Sequence, residues 1–243
     1  MAASEGEDAP PSDDVGHQDP ERLRLEAVYG AYHASGRDAD RWNPEAEGNR
    51  CILAERQARM AALLVDLPRE PKILEIGCGA GEVLAQIERS VSGASTLVGV
   101  DLLADRLAVA ARERALGRVA QADGRCLPFE DGEFDLVVMF TVLSSVLDHS
   151  LRQELANEAV RVVAAGGAIL WYDLRFPSTN RSVRPLSRRH VRSLFPGCTV
   201  DVRSTTVVPP LARRLGSWDR VLYPRLARLS ILHSHHLGLI RPR

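Results

Sequence analysis

The sequence predicts an α/β domain built on a parallel sheet with helices on both faces. Three observations carry that reading. Residues 72–76 form an apolar run of strand type, followed at once by Gly77, Gly79 and Gly81 and then by Val83, Leu84 and Ile87 at helical spacing. Further short strand-like runs recur at 96–100, 119–124 (with its turn) and 134–140, with helical patterns or turns between them. The run at 96–100 ends in Asp101, about 20 residues beyond the glycines, where a nucleoside-binding fold places a carboxylate on the ribose hydroxyls.

The elements follow in order. Residues 1–20 hold six acids, three prolines and no arginine, so a disordered acidic tail is expected. Leu23, Leu25, Val28 and Tyr32 mark an amphipathic helix over 21–33, and Ile52, Leu53, Met60, Leu63 and Leu64 mark a second over 48–67, ended by Pro68 and Pro71. Strands are expected at 72–76, 96–100, 134–140 and 168–176, with 119–124 as a third strand and the turn after it, and helices from Leu103 and from about His149, the latter capped by Asp148. Ser187 starts a helix that Pro196 and Gly197 stop. An alternating run at 198–208 reads as the sixth strand, 209–230 as an arginine-rich amphipathic insertion, and 235–240 as the last strand.

Composition excludes several classes. The 243 residues suit one domain with a tail and a small cap, and the net charge of −1 gives no global pull toward nucleic acid. No apolar run is long enough to span a bilayer. Four scattered cysteines without a C-x-x-C pair fit a reducing cytoplasm. The three domain parts expected are the tail (1–20), a helical lid (21–70) and the sheet domain (71–243) with its cap at 209–230.

The loop chemistry selects the ligand. A dinucleotide site has G-x-G-x-x-G, and its last glycine is Glu82 here. Glu75 precedes the loop and Glu82 follows it, a poor setting for pyrophosphate and a good one for a cation. Glu75-Ile76-Gly77-Cys78-Gly79-Ala80-Gly81 resembles motif I of the class I, Rossmann-like S-adenosylmethionine-dependent methyltransferases, whose ligand carries an ammonium and a sulfonium. Asp123-Gly124, with Leu127-Pro128-Phe129 and Asp131-Gly132-Glu133-Phe134-Asp135, is similar to motifs III and IV. Residues 158–167 are similar to the helix-turn that follows. The resemblance covers about 72–176, and the chain's cadence is similar to a bacterial subgroup of glycan or secondary-metabolite enzymes. It implies a seven-stranded, mostly parallel sheet with the last strand antiparallel.

It also implies S-adenosylmethionine as cofactor and S-adenosylhomocysteine as product. Glu75, Gly77, Gly79 and Gly81 would contact it through the loop. Asp101 and Leu102 would meet the ribose, and Asp123 and Gly124 the adenine, with Phe140 nearby. Asp101 reads alternatively as an ordinary cap of the next helix. Many relatives carry a histidine after the fourth strand; Ser145 stands there, so no base transfers from that position. Asp173 is then the candidate general base, with Tyr172 second, and Asp173 paired to Arg175 is the structural alternative. Arg175, Ser145 and Tyr32 are substrate-binding candidates. Tyr29, Trp42, Asn49 and Arg56 face cofactor or substrate, or are packing. No metal is expected, since His233, His235 and His236 have no acid near them in sequence.

The activity expected is methylation of a small molecule, with O-methylation of a glycan, sugar or secondary-metabolite hydroxyl. The alternatives are an inactive cofactor-binding scaffold and a nucleotide-dependent oxidoreductase. The basic cap suits an anionic or lipid-linked acceptor or a peripheral membrane contact.

Overall fold

Ile73, Leu74 and Ile76 are all buried, and a strand with no wet face belongs in the middle of a covered sheet. The computed structural model describes residues 19–34, 48–91, 96–114, 118–177 and 180–243. The expected tail therefore lies outside the described residues, save Asp19 and Pro20, and so does Trp42. Strand β1 (Lys72–Ile76) pairs in parallel with β2 (Thr96–Asp101) on one side and β4 (Phe134–Phe140) on the other. Strands β3 (Val119–Gln121) and β5 (Val163–Leu174) extend this sheet, again in parallel. Strand β7 (His233–Pro242) runs antiparallel between β5 and β6 (Cys198–Val207). The order β3-β2-β1-β4-β5-β7-β6 is the seven-stranded α/β sheet expected, with its last strand reversed. Chain direction across the sheet switches between β1 and β4, which opens a crevice at their carboxyl ends.

Period-two alternation sends the strand side chains to two cores. Leu74, Ile76, Val137, Met139 and Trp171 pack against α6 (His149–Val162) and α7 (Arg188–Leu194). Ile73, Leu136, Val138, Phe140 and Tyr172 pack on the other face, against Met60 of α2 (Asn49–Leu63) and Ile87 of α3 (Glu82–Glu88). Helix α4 (Ala104–Arg114) returns from β2 to β3, and α6 is capped by Asp148, whose carboxylate accepts from the Ser150 and Leu151 amides. No helix among the described residues is long and apolar enough to cross a membrane.

Two expectations change. The fifth strand begins at Val163, because α6 runs directly into it, and the register jumps from Phe134–Val163 to Leu136–Ala168 while Gly166 takes φ 81°. The 21–70 unit divides. Helix α1 (Pro20–Ala34) lies over the carboxyl ends of the strands, whereas α2 is a core helix fused to the cap. Ile52 of α2 packs with Val207, Ala212 and Tyr223. Tyr223 donates to Glu55 (2.7 Å) and Arg213 Nε to Asn49 Oδ1 (2.9 Å). The cap consists of α8 (Pro209–Arg213), α9 (Asp219–Leu226) and two short 3₁₀ turns, and it fills what would otherwise be a β6–β7 hairpin. Asn49 is thus a cap anchor rather than a site residue.

Strand β7 packs tightly at Gly238, where a Cβ would lie 2.3 Å from the Asp201 carbonyl oxygen. Gly238→Ala is expected to cost about 3 kcal/mol by forcing β6 and β7 apart, read as a lower urea midpoint.

Candidate active site

The crevice is shaped by backbone that only special residues adopt. Gly77, Gly79 and Gly81 all have positive φ (71°, 53° and 81°), the left-handed region open to glycine. A Cβ on Gly77 would strike Val142 at 2.6 Å. Thr141, at the end of β4, is left-handed with φ 58° and no glycine to relieve it, a local strain of the kind that gathers at functional sites. It opens α5 (Val142–Ser145).

Carboxylates at the strand ends hold this backbone in place. Asp101, buried at the end of β2, accepts from the Gly79 amide (2.7 Å) and the Leu103 amide (2.9 Å). Glu75 is fully enclosed on the α3 side and accepts from the Leu84 amide (3.1 Å). Burial raises its carboxyl well above the usual range, against that hydrogen bond. Leu102 is half-buried and its carbonyl accepts from Gln121. Gly124 lies directly on the end of β1, where a Cβ would meet Ile76 at 2.7 Å. The loop, Asp101 and Gly124 therefore share one crevice, and the Ala122 amide donates to the Asp101 carbonyl.

Asp123 stands at the same edge, turned to Arg125, which reaches its two oxygens at 3.0 and 2.6 Å. Burial works against ionisation there, yet these hydrogen bonds hold the carboxyl below its usual value. Arg125 also pairs with Asp19 at 2.5 Å, so this acid is linked to the start of α1. Phe140 differs from expectation. It stacks on Tyr172 at 5.0 Å in the core beneath α2, with the Arg56 guanidinium 5.7 Å from its ring, so it offers the crevice backbone rather than a ring. Arg56 donates to Gln86 (2.9 Å) on the same side.

Helix α1 forms the roof. Glu21 accepts from the Leu147 amide (2.7 Å), and Arg24 donates to the carbonyls of Ser145 and Ser182. The Tyr29 hydroxyl meets Ser145 Oγ at 2.9 Å, and Ser145 Oγ donates to the Thr141 carbonyl at 2.7 Å. The Tyr32 hydroxyl accepts from Asn180 at 2.6 Å. Arg106 of α4 reaches over the loop, its guanidinium 4.7 Å from the Tyr29 ring centre and 2.5 Å from where a Gly79 Cβ would stand. Sequence reasoning named Ser145, Tyr29 and Tyr32, but not Arg106, Arg125, Arg24 or Glu21.

Three expected roles meet obstacles. Tyr172 is enclosed on the α2 face, stacked on His235 at 4.7 Å, with its hydroxyl on Thr206 at 2.9 Å. Burial pushes it up to about 12, so it is removed from the crevice and poorly suited to accept a proton. Asp173 is wholly enclosed and faces the other core. It accepts from the Ser144 amide (3.0 Å) and the Leu174 amide (2.9 Å), and burial pushes its carboxyl up to about 6. Arg175 does not pair with Asp173. It donates to the Ser230 carbonyl (2.6 Å) and lies 4.4 Å from the Phe176 ring, which ties it to the cap. His233 bonds Ser204 and Ala227, and no cluster of three metal-ligating side chains occurs among the described residues.

Residues 73–167 match the family model described as a methyltransferase domain. The chain is 28% identical to a ubiquinone/menaquinone biosynthesis C-methyltransferase of Pseudomonas aeruginosa, over 72% of this chain and 69% of that one. It is 33% identical to a demethylmenaquinone methyltransferase of Thermus thermophilus, over 51% and 56% of the two lengths. The methyltransferase of a Haloferax volcanii complex with the Trm112 activator superposes with a TM-score of 0.59 at 20% identity, covering 88% of this chain and 98% of that one. Residues 73–167 are thus similar to a class I S-adenosylmethionine-dependent methyltransferase domain. The crevice suits this cofactor. Its loop is flanked by Glu75 and Glu82, it has no third Rossmann glycine, and its glycines leave no Cβ in the way of a ligand.

Two outcomes are expected. Asp101→Ala frees the Gly79 and Leu103 amides and removes the thermal shift that S-adenosylmethionine gives the wild type, while the far-ultraviolet spectrum is kept. Asp173 titrates at about 6 when folded against 3.8 as its ordinary value. The folded chain then binds the extra proton, so this group's contribution to stability falls as pH rises from about 4 to about 6. Asp173→Asn removes that fall, read as the difference between the two urea midpoints at pH 4.5 and pH 6.5.

Proposed function

We propose that α1 is a lid and that a small hydroxylated acceptor is methylated beneath it. The observation that supports this most directly is the hydroxyl pair of Tyr29 and Ser145, 2.9 Å apart, where the roof meets the strained Thr141 turn. When bound, S-adenosylmethionine supplies a methyl already activated on a sulfonium. The chain's own task is then alignment more than activation. In this reading Asp101 takes the ribose hydroxyls through its remaining lone pairs, and Asp123 takes the adenine amine once Arg125 swings aside. Glu82 opposes the ligand's positive charge, and Glu75 holds the start of α3 through the Leu84 amide. Tyr29 and Ser145 give up their mutual bond to hold an acceptor hydroxyl. Asp173 acts through the Ser144 amide, fixing α5 and therefore Ser145, as a positioning residue and not the base.

The relatives' names narrow the acceptor. They are named for quinones, and one for methylation at carbon. A hydroxylated ring methylated at carbon therefore fits better than the glycan, sugar or secondary-metabolite hydroxyl expected from sequence. A ring hydroxyl held by Tyr29 and Ser145 directs electron density to the adjacent carbon, which takes the methyl as S-adenosylhomocysteine departs and then gives up its ring proton to water. The oxidoreductase and inactive-scaffold readings give way to the methyltransferase relationship.

Labelled methyl is expected in a ring carbon of a reduced naphthoquinone analogue. Tyr29→Phe and Ser145→Ala are each expected to raise the acceptor KM by about tenfold, the scale of one hydrogen bond, and to leave the cofactor dissociation constant unchanged. Label found only in sugar hydroxyls would restore O-methylation. Label in neither class, with cofactor bound, would reject the acceptor assignment.

A further inference from the structure

We propose that the outer face of the cap docks on an anionic lipid bilayer and holds the mouth of the crevice against it. The inference rests on the cap and stands apart from the choice of acceptor. Helix α9 has two faces. Asp219, Tyr223, Leu226 and Ala227 point to α2, and the Asp219 carboxylate accepts from the Gly48 amide at 3.3 Å. Trp218, Val221, Leu222 and Arg225 recur at helical spacing on the other side. Trp218 is 65% exposed, and beyond the helix Leu229 and Ile231 are 51% and 76% exposed. Such a run of bare apolar side chains marks an interaction surface.

Charge selects the partner. Residues 209–232 hold five arginines and a single acid, Asp219, which is turned inward. Arg214, Arg220, Arg225 and Arg228 are exposed and have no acidic partner among the described residues. The whole chain carries a net charge of −1, so this face is cationic on a nearly neutral body and orients it toward negative charge. Apolar side chains interleaved with arginines, on short helical turns, are the pattern of a segment lying in a membrane interface. Tryptophan, with an apolar body and a polar tip, is at home at that depth.

Position gives the contact a use. Arg175 joins the Ser230 carbonyl to the exposed Phe176 ring at the end of β5. Just beyond, Asn180 and Ser182 contact Tyr32 and Arg24 of α1. The apolar cationic face thus adjoins the roof of the crevice, so an acceptor with a lipid tail would pass from bilayer to site without crossing bulk water.

Flotation of the full chain with vesicles tests this, using phosphatidylcholine alone and phosphatidylcholine mixed with phosphatidylglycerol. Binding is expected only to the mixed vesicles and to weaken with salt. Neutralising Arg220, Arg225 and Arg228 together to Gln is expected to weaken partitioning on the order of a hundredfold, from about fivefold per charge. Trp218→Ser with Ile231→Ser should release the chain even at low salt. The thermal shift with S-adenosylmethionine should persist in both variants, showing that they fold and that cofactor binding is independent of docking. Absence of flotation by the wild type would overturn the proposal. So would binding indifferent to the arginines, or retention on polyglutamate that equals vesicle binding and ignores Trp218 and Ile231, which would mark an acidic protein as the partner.

Discussion

The site depends on one carboxylate holding two amides. Asp101 accepts from Gly79 and Leu103, and so fastens the loop after β1 to the turn after β2. The glycines of that loop have left-handed backbones that would be costly to keep without a fixed partner. A charged acceptor makes a stronger bond to an amide than a neutral one does, and here it is spent on geometry. The ligand meets a loop already bent to receive it.

The same device recurs along the sheet. Glu75 in β1 holds the Leu84 amide in α3, and Asp173 in β5 holds the Ser144 amide in α5. A buried carboxylate is expensive unless its oxygens are satisfied, and each of these is satisfied by main chain at the rim. Strands β2, β1 and β5 thus carry acids near their ends that set the backbone around the crevice. Sites of this kind are precise because the supporting groups sit on rigid strands rather than on loops.

The fold was legible because its signals are local. Ile73, Leu74 and Ile76 announce a strand, Gly77, Gly79 and Gly81 a turn, and Asp101 the end of the second strand. What sequence concealed was direction and distance. Tyr172 and Asp173 are adjacent in sequence and so point to opposite faces, one into the α2 core and the other against α5, where both are enclosed. Arg175 was drawn to a carbonyl in the cap, 55 residues further along the chain. Arg106 and Arg125 reach the crevice through folding alone. In a chain whose cations are nearly all arginine, no composition or spacing separates them from the rest.

Helix α1 is held down chiefly by hydroxyls, carbonyls and ions: Glu21 on Leu147, Arg24 on Ser145 and Ser182, Tyr29 on Ser145, Tyr32 on Asn180. Water can replace each of these bonds nearly in kind. Helix α2, by contrast, is bonded through Ile52 and Met60 into the two cores beside it, and lifting it would wet a large greasy area. If α1 is the lid proposed above, the roof would detach while the walls stay dry, and spent cofactor would leave an otherwise intact protein.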